Sequence, residues 1–116
     1  MKRYLARVVG VVALMTLSVT VSAQDARSAQ VGKATYAARE CARCHMIAGR
    51  GNKAGKLDGV GSKMSPAEMR RWLTAPTEME AKLDHTPKVK MSSRKTMTLT
   101  DGEVDALVAY LTTLKK

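Results

Sequence analysis

The sequence contains no phenylalanine, and its large aromatic side chains are limited to one tryptophan and three tyrosines among 116 residues. It has only two cysteines, Cys41 and Cys44, and these lie too close together in the chain to provide a disulfide framework. A domain of this size buries too little apolar surface for its core alone to give much stability. The composition therefore predicts that a bound cofactor or metal forms part of the core.

The sequence has only one long hydrophobic run, which covers residues 8–21 and follows three basic residues. This run is shorter than the roughly 20 residues that a membrane-spanning helix needs. It ends in Val21-Ser22-Ala23, whose small residues are typical of a signal-peptide cleavage site. We therefore predict a cleaved secretory signal at residues 1–23, one domain at residues 24–116 and no stable membrane anchor. An uncleaved amphipathic anchor is the alternative.

Acidic residues are outnumbered in the predicted domain, which carries seventeen basic and ten acidic side chains and hence a net charge of +7. Such a surface speeds encounter with acidic proteins at low salt, although it can also serve only to keep the protein in solution. We expect acidic protein partners. We do not expect nucleic acid, because no recognition motif or basic patch with interleaved aromatics is present.

Both cysteines belong to the segment Cys41-Ala42-Arg43-Cys44-His45, which has the pattern of a c-type haem attachment site. On a helix, residues three apart share a face. The two thiols could therefore bond the two vinyl groups of one haem while His45 reaches the iron. A redox dithiol would need a βαβ context. A closed zinc site would need four ligands, and the only further histidine is His85. The pattern predicts one haem c bound through Cys41 and Cys44.

Three helices are predicted in the domain. The first spans residues 29–44 and follows a polar leader at residues 24–28. The other two begin at capping boxes, in which a serine or threonine N-cap pairs with a glutamate three residues later. These boxes are Ser65 with Glu68 and Thr100 with Glu103, and Pro76 ends the middle helix.

The last helix carries an apolar stripe at helical spacing, which needs a partner. Its members are Val104, Leu107, Val108, Leu111 and Leu114. The natural partner is the face of the first helix that holds Gly32 and Tyr36, with Tyr110 nearby. Glycine is unfavourable inside a helix, so Gly32 indicates the close approach of another backbone; an ordinary helix start is the alternative.

Between the first two helices, residues 46–61 contain five glycines and form a loop folded tightly around something. Its apolar residues Ile47, Leu57 and Val60 are candidates to pack on the cofactor. No strand precedes the glycines, so they do not indicate a phosphate-binding loop. Trp72 on the second helix has a ring N–H that could bond a haem propionate, and plain core packing is the alternative.

Residues 77–98 are predicted to form a loop, and they contain the candidates for the sixth ligand of the iron. A methionine sulfur in that position favours ferrous iron and raises the reduction potential. Met91 lies far enough from the flanking helices to turn inward, and we choose it. His85 and Met97 remain open as competitors, and Met79 lies close to the preceding proline.

With these motifs in this order, the chain resembles small class I cytochromes c of the bacterial periplasm. The resemblance covers nearly all of residues 24–116. It is carried by Gly32 with Tyr36, the segment Cys41–His45, the segment Leu57–Gly61, Met91, and the segment Leu107–Leu111.

This resemblance implies an all-α fold of three to four helices around one covalently bound haem, in which the first and last helices cross near Gly32 and pack through Leu107 and Tyr110. His45 and Met91 would be the axial ligands, with the backbone carbonyl of Lys56 bonding the ring of His45.

The function implied is electron transfer by a soluble periplasmic carrier, not catalysis. Such a carrier is a monomer that meets its redox partners transiently. Two alternatives remain: the haem subunit of a periplasmic oxidoreductase, for example one oxidising a sulfur compound, and a five-coordinate haem that binds a gas or peroxide.

Overall fold

The computed structural model describes residues 23–94 and 98–116, so residues 1–22 and the candidate ligand Met97 lie outside the described residues. The helices are α1 (residues 23–38), α2 (Val60–Lys63), α3 (Pro66–Thr74), α4 (Pro76–Glu80) and α5 (Asp101–Thr112). Short 3₁₀ helices cover Cys41–Arg43, Lys53–Gly55 and Met91–Ser93. In the described part of the chain the strands are β1 (Met46–Ile47) and β2 (Arg50–Gly51), which pair antiparallel. The predicted all-α class is confirmed.

None of the helices in the two described ranges combines the length and the apolar character needed to cross a membrane. The division into a signal at residues 1–23 and a domain at 24–116 stays a prediction.

The first helix differs from its prediction at both ends. Residues 24–28, predicted as a polar leader, are helical, and α1 ends at residue 38 instead of 44. It ends because Glu40 adopts the left-handed conformation, with φ of 55°, which breaks the run of helical hydrogen bonds. The cysteine motif therefore lies on a separate 3₁₀ turn.

Both predicted capping boxes are present. The Ser65 hydroxyl accepts from the Glu68 N–H at 3.2 Å, and the Glu68 carboxylate accepts from the Ser65 N–H at 3.0 Å. The corresponding distances for Thr100 and Glu103 are 3.2 and 2.9 Å. Pro76 ends α3 as predicted but also begins α4, which was predicted as loop. Proline suits the first position of a helix because its φ is already helical and it has no N–H to leave unbonded.

The apolar stripe of α5 has a different main partner from the one predicted. Val104, Val108 and Leu111 are buried against Val60 of α2 and Met69 of α3, with Leu114 packed beside them. The reason is that α5 has two apolar faces, and α1 covers the other one.

That second face of α5 meets α1 at Gly32, as predicted. A Cβ atom built on Gly32 would overlap the backbone carbonyl of Ala106 and lie 2.6 Å from the Cβ of Tyr110. The rings of Tyr36 and Tyr110 also meet edge to face, with centroids 6.0 Å apart. Leu107 is only 2% exposed and lies between the two faces by helical position. The first and last helices thus cross at Gly32.

Candidate functional site

The two cysteines are held on one side of a tight turn. The Cys44 N–H and the His45 N–H both donate to the carbonyl of Cys41, at 3.1 and 3.0 Å. Both cysteines are free thiols and partly buried. Residues three apart in a 3₁₀ helix are aligned above one another because it has three residues per turn. The thiols therefore share a face although the motif is not part of α1.

His45 is fixed by a hydrogen bond from its ring to the following loop. Its Nδ1 lies 3.1 Å from the carbonyl oxygen of Gly55. A carbonyl can only accept, so in the neutral ring Nδ1 carries the proton and Nε2 keeps its lone pair. A backbone partner of this kind fixes the tautomer and the orientation of a metal-binding histidine.

The carbonyl that orients His45 belongs to Gly55 and not to Lys56, which corrects the expectation from the resemblance. The 3₁₀ turn at Lys53–Gly55 explains the difference, because it brings the Gly55 carbonyl to the ring. The Lys56 backbone instead bridges to Met46.

The glycine-rich loop is folded directly against the backbone of the cysteine motif. The Asn52 N–H donates to the His45 carbonyl at 3.0 Å, and the Asn52 side chain donates to the Arg43 carbonyl at 3.2 Å. A Cβ atom on Gly55 would overlap the Cys44 carbonyl and lie 3.0 Å from His45 Nδ1. The prediction of a tightly folded loop is confirmed, and a larger residue than glycine does not fit at position 55.

The apolar residues of that loop differ in where they lie. Val60 is buried in the cluster under α5, and Leu57 packs against the same cluster while remaining partly exposed. Ile47 is also partly buried, as is Trp72 on α3. Cofactor contacts of Leu57 and Trp72 stay predictions.

Arg94 and Tyr36 lie near the two cysteines. Arg94 Nη1 lies 3.7 Å from Cys44 Sγ. Burial raises the pKa of the Cys41 thiol, and the Arg94 guanidinium opposes that rise. Tyr36 is close by, and its hydroxyl is buried with no hydrogen-bond partner among residues 23–94 and 98–116. Burial, with the neighbouring Cys41, raises the pKa of Tyr36 to about 12.

The contact of Arg94 also shows where the Met91 segment lies. Arg94 is the C-cap of the 3₁₀ helix Met91–Ser93, and its N–H donates to the Met91 carbonyl at 3.2 Å. Its side chain reaches Cys44, so this turn lies beside the cysteine motif. The Met91 side chain is partly buried. By contrast, the His85 side chain is 69% exposed and its Nδ1 lies 2.7 Å from Asp84 Oδ1.

Sequence reasoning did not predict the contacts of three residues in this region: Gly55 with His45, Glu80 with Ser92, and Arg94 with Cys44. Gly55 could have been found from its place in the glycine-rich loop. Nothing in the local sequence pairs Glu80 with Ser92 or Arg94 with Cys44, because twelve and fifty residues separate the partners.

These residues fit a covalently attached haem. Two thiols share a face, the neutral ring of the adjoining histidine has its Nε2 available for a metal, and the glycine-rich loop is folded against the backbone of the motif. An all-helical domain that holds such a site belongs to the class of proteins that bind haem through two cysteines.

Comparison with known proteins identifies the family. The model of the Cytochrome c family matches residues 29–115, and the chain belongs to that family. Searches of curated proteins and of solved structures gave no match. The protein therefore binds haem c covalently, through Cys41 and Cys44, and is a haem-binding electron-transfer protein.

Proposed function

We propose that the protein is a periplasmic carrier that moves single electrons between redox proteins, with His45 and Met91 as the two iron ligands. Bound haem supplies the one-electron couple, and the polypeptide supplies ligands, burial and a docking surface. The observation that carries the ligand assignment is the contact of Arg94 with Cys44, because it brings the Met91 turn to the cysteine motif.

Different observations support the two ligand assignments. The assignment of His45 is supported by the hydrogen bond from Nδ1 to the Gly55 carbonyl, which leaves Nε2 free. The assignment of Met91 is supported by its partly buried position on a turn beside the motif. The exposure of His85 and its bond to Asp84 favour Met91 over that competitor.

Absorption spectra of variants test the ligand assignment. Ferric haem with a methionine ligand has a sulfur-to-iron charge-transfer band, which Met91→Ala should abolish. The matched controls His85→Ala and Met97→Ala should keep it. A band that survives Met91→Ala, or that is lost in Met97→Ala alone, would overturn the assignment of Met91.

The same Met91→Ala variant separates a six-coordinate carrier from a five-coordinate ligand-binding haem. In the carrier, removing the methionine opens a position, so the affinity for external ligands should rise. In a five-coordinate protein neither the spectrum nor the affinity should change.

The proposed partners are acidic redox proteins that bind transiently to a monomer. This proposal is supported by the net charge of +7 over residues 24–116 and by exposed basic residues on the segments that adjoin the motif. These are Arg43, Arg50, Lys53, Lys56, Lys88 and Lys90. Electron transfer to an acidic partner should slow as salt screens the attraction. A rate that does not depend on salt would contradict the electrostatic part of the proposal.

Purification and fractionation test the remaining parts. Cell fractionation should place the mature protein in the periplasm, with Gln24 as its first residue. A free carrier should purify alone. Stable co-purification with a larger redox subunit would favour the alternative in which the chain is the haem subunit of an oxidoreductase.

A further inference from the structure

We propose that Glu80 is a positioning residue that holds Met91 in place as an iron ligand by binding the next residue, Ser92. The proposal rests on the assignment of Met91 made above. It extends that assignment to a residue eleven positions earlier in the chain, on a different helix.

The contact consists of two hydrogen bonds to one carboxylate. The Ser92 backbone N–H donates to Glu80 Oε1 at 2.9 Å, and the Ser92 hydroxyl donates to Oε2 at 2.6 Å. Hydrogen bonds to an ionised carboxylate are stronger than those between neutral groups. They also hold the pKa of the Glu80 carboxyl below its usual range.

The contact between Glu80 and Ser92 spans an irregular segment of the chain. Residues 81–90 contain turns and bends but no helix or strand. The Glu80 to Ser92 contact ties the two ends of this irregular segment together. Its loss would allow the Met91 turn to sample more positions, since the ends of an untied loop regain conformational freedom.

Glu80 is itself held on a regular element, whereas the Met91 turn is short. Glu80 is the last residue of α4, which follows directly on α3. Within residues 23–94 and 98–116, the backbone-to-backbone hydrogen bonds of the 3₁₀ turn are local, from the Ser93 N–H to the Lys90 carbonyl and from the Arg94 N–H to the Met91 carbonyl, each 3.2 Å. The carboxylate therefore links the turn that carries the ligand to the helical part of the domain.

This arrangement also suits the residue found after Met91. A proline at this position would restrict the backbone by itself. Serine does not, but it offers the N–H and O–H that Glu80 binds. The carboxylate thus supplies a restraint that the sequence at position 92 lacks.

Imidazole titration of the haem-loaded ferric protein tests the proposal. Imidazole takes the sixth position when Met91 leaves, so its apparent affinity rises with the fraction of molecules in which Met91 is detached. We expect Glu80→Ala to bind imidazole about 10-fold more tightly and to show a weaker charge-transfer band. Ser92→Ala keeps the backbone bond and should show a smaller effect in the same direction.

The matched control is Glu78→Ala. Glu78 lies on the same helix, is exposed, and has its carboxylate 3.3 Å from Arg71. Its removal should leave imidazole affinity as in the unmodified protein. Glu80→Gln should fall between unmodified protein and Glu80→Ala, because an amide oxygen can still accept one of the two bonds.

The outcomes separate this proposal from the ligand assignment. If Met91→Ala keeps the charge-transfer band, the assignment fails and the role of Glu80 fails with it. If Met91→Ala loses the band but Glu80→Ala binds imidazole like the unmodified protein, only the role of Glu80 is overturned. A Glu80→Ala variant that melts earlier without any change in imidazole affinity, or that matches Glu78→Ala, would also overturn it.

Discussion

Replacing Gly32 by alanine should force α1 away from α5 and lower stability. The added Cβ would overlap the Ala106 carbonyl and lie 2.6 Å from both the Ala106 carbonyl carbon and the Tyr110 Cβ. Carbon atoms in contact normally sit about 3.5 to 4.0 Å apart, so the helices must separate by about 1 Å. None of the three atoms can rotate out of the way, because two belong to the backbone and the third is a Cβ.

The size of the effect follows from two opposing contributions. Overpacking a filled contact costs up to about 3 kcal/mol when neighbouring atoms cannot adjust. Alanine recovers about 1 kcal/mol because it is a better helix former than glycine. The net loss is about 2 kcal/mol, which for a domain of this size lowers Tm by about 8 to 16 °C.

Thermal unfolding of the haem-loaded protein, followed by far-ultraviolet circular dichroism, measures this effect. Gly102→Ala is the matched control, because Gly102 also lies on a helix and a Cβ there would meet no atom of the described residues within 4 Å. That variant should be as stable as the unmodified protein or slightly more stable. A Gly32→Ala protein with an unchanged or higher Tm would refute the close approach of α1 and α5.

Three further variants test other contacts. Tyr36→Phe should keep or raise Tm, because it removes a buried hydroxyl that lacks a partner within the described part of the chain. Glu103→Gln should lower Tm at neutral pH. Hydrogen bonds from the Thr100 backbone and then from Arg39 hold the pKa of the Glu103 carboxyl below its usual range. The charged Glu103 carboxylate therefore stabilises the fold above a pH of about 4.3, the usual pKa of glutamate, and this contribution is lost as the pH falls through the lowered pKa. Plots of Tm against pH for Glu103→Gln and for the unmodified protein should therefore converge in acid. Gly55→Ala should reduce the fraction of protein that carries covalent haem, measured by haem absorbance per polypeptide, because its Cβ overlaps the Cys44 carbonyl.

Each of these variants has a control. Tyr36→Leu should lower Tm through loss of the ring contact, and a Tyr36→Phe protein that melts equally early would contradict the cost assigned to the hydroxyl. Glu78→Gln, at an exposed carboxylate, should leave the dependence of Tm on pH unchanged. If the plot of Tm against pH for Glu103→Gln runs parallel to that of the unmodified protein, ionisation of Glu103 is not linked to stability. Ala54→Ser, at an exposed position in the same 3₁₀ turn as Gly55, should load haem normally. Equal haem loading of Gly55→Ala would mean that the turn adjusts readily.

Features decided within a few residues of the chain could be predicted from the sequence. The capping box of Ser65 with Glu68 is an example, since both partners lie in one helical turn. The cysteine motif is another, because the two cysteines and the histidine lie within five consecutive residues. Gly32 could be interpreted because glycine weakens a helix interior, a cost that close packing against another backbone offsets.

Features that depend on the backbone conformation adopted at single residues or in short turns were missed or misplaced. The end of α1 depends on Glu40 adopting a left-handed conformation, which is uncommon for a residue other than glycine. The helix α4 was overlooked because Pro76 was interpreted only as an end and not also as a beginning. The hydrogen-bond acceptor for the His45 ring was expected to be the Lys56 carbonyl but is the Gly55 carbonyl, because a 3₁₀ turn determines which carbonyl faces the ring.

The packing of α5 has a consequence for the order in which the protein is made. Three helices, α1, α2 and α3, all pack against α5, and α5 follows all of them in the chain. While the polypeptide is being synthesised, these preceding helices lack their common partner, so the core cannot close. The segment from Cys41 to His45 is complete well before that moment. The core of the domain can therefore close only after the segment that carries both cysteines is already complete.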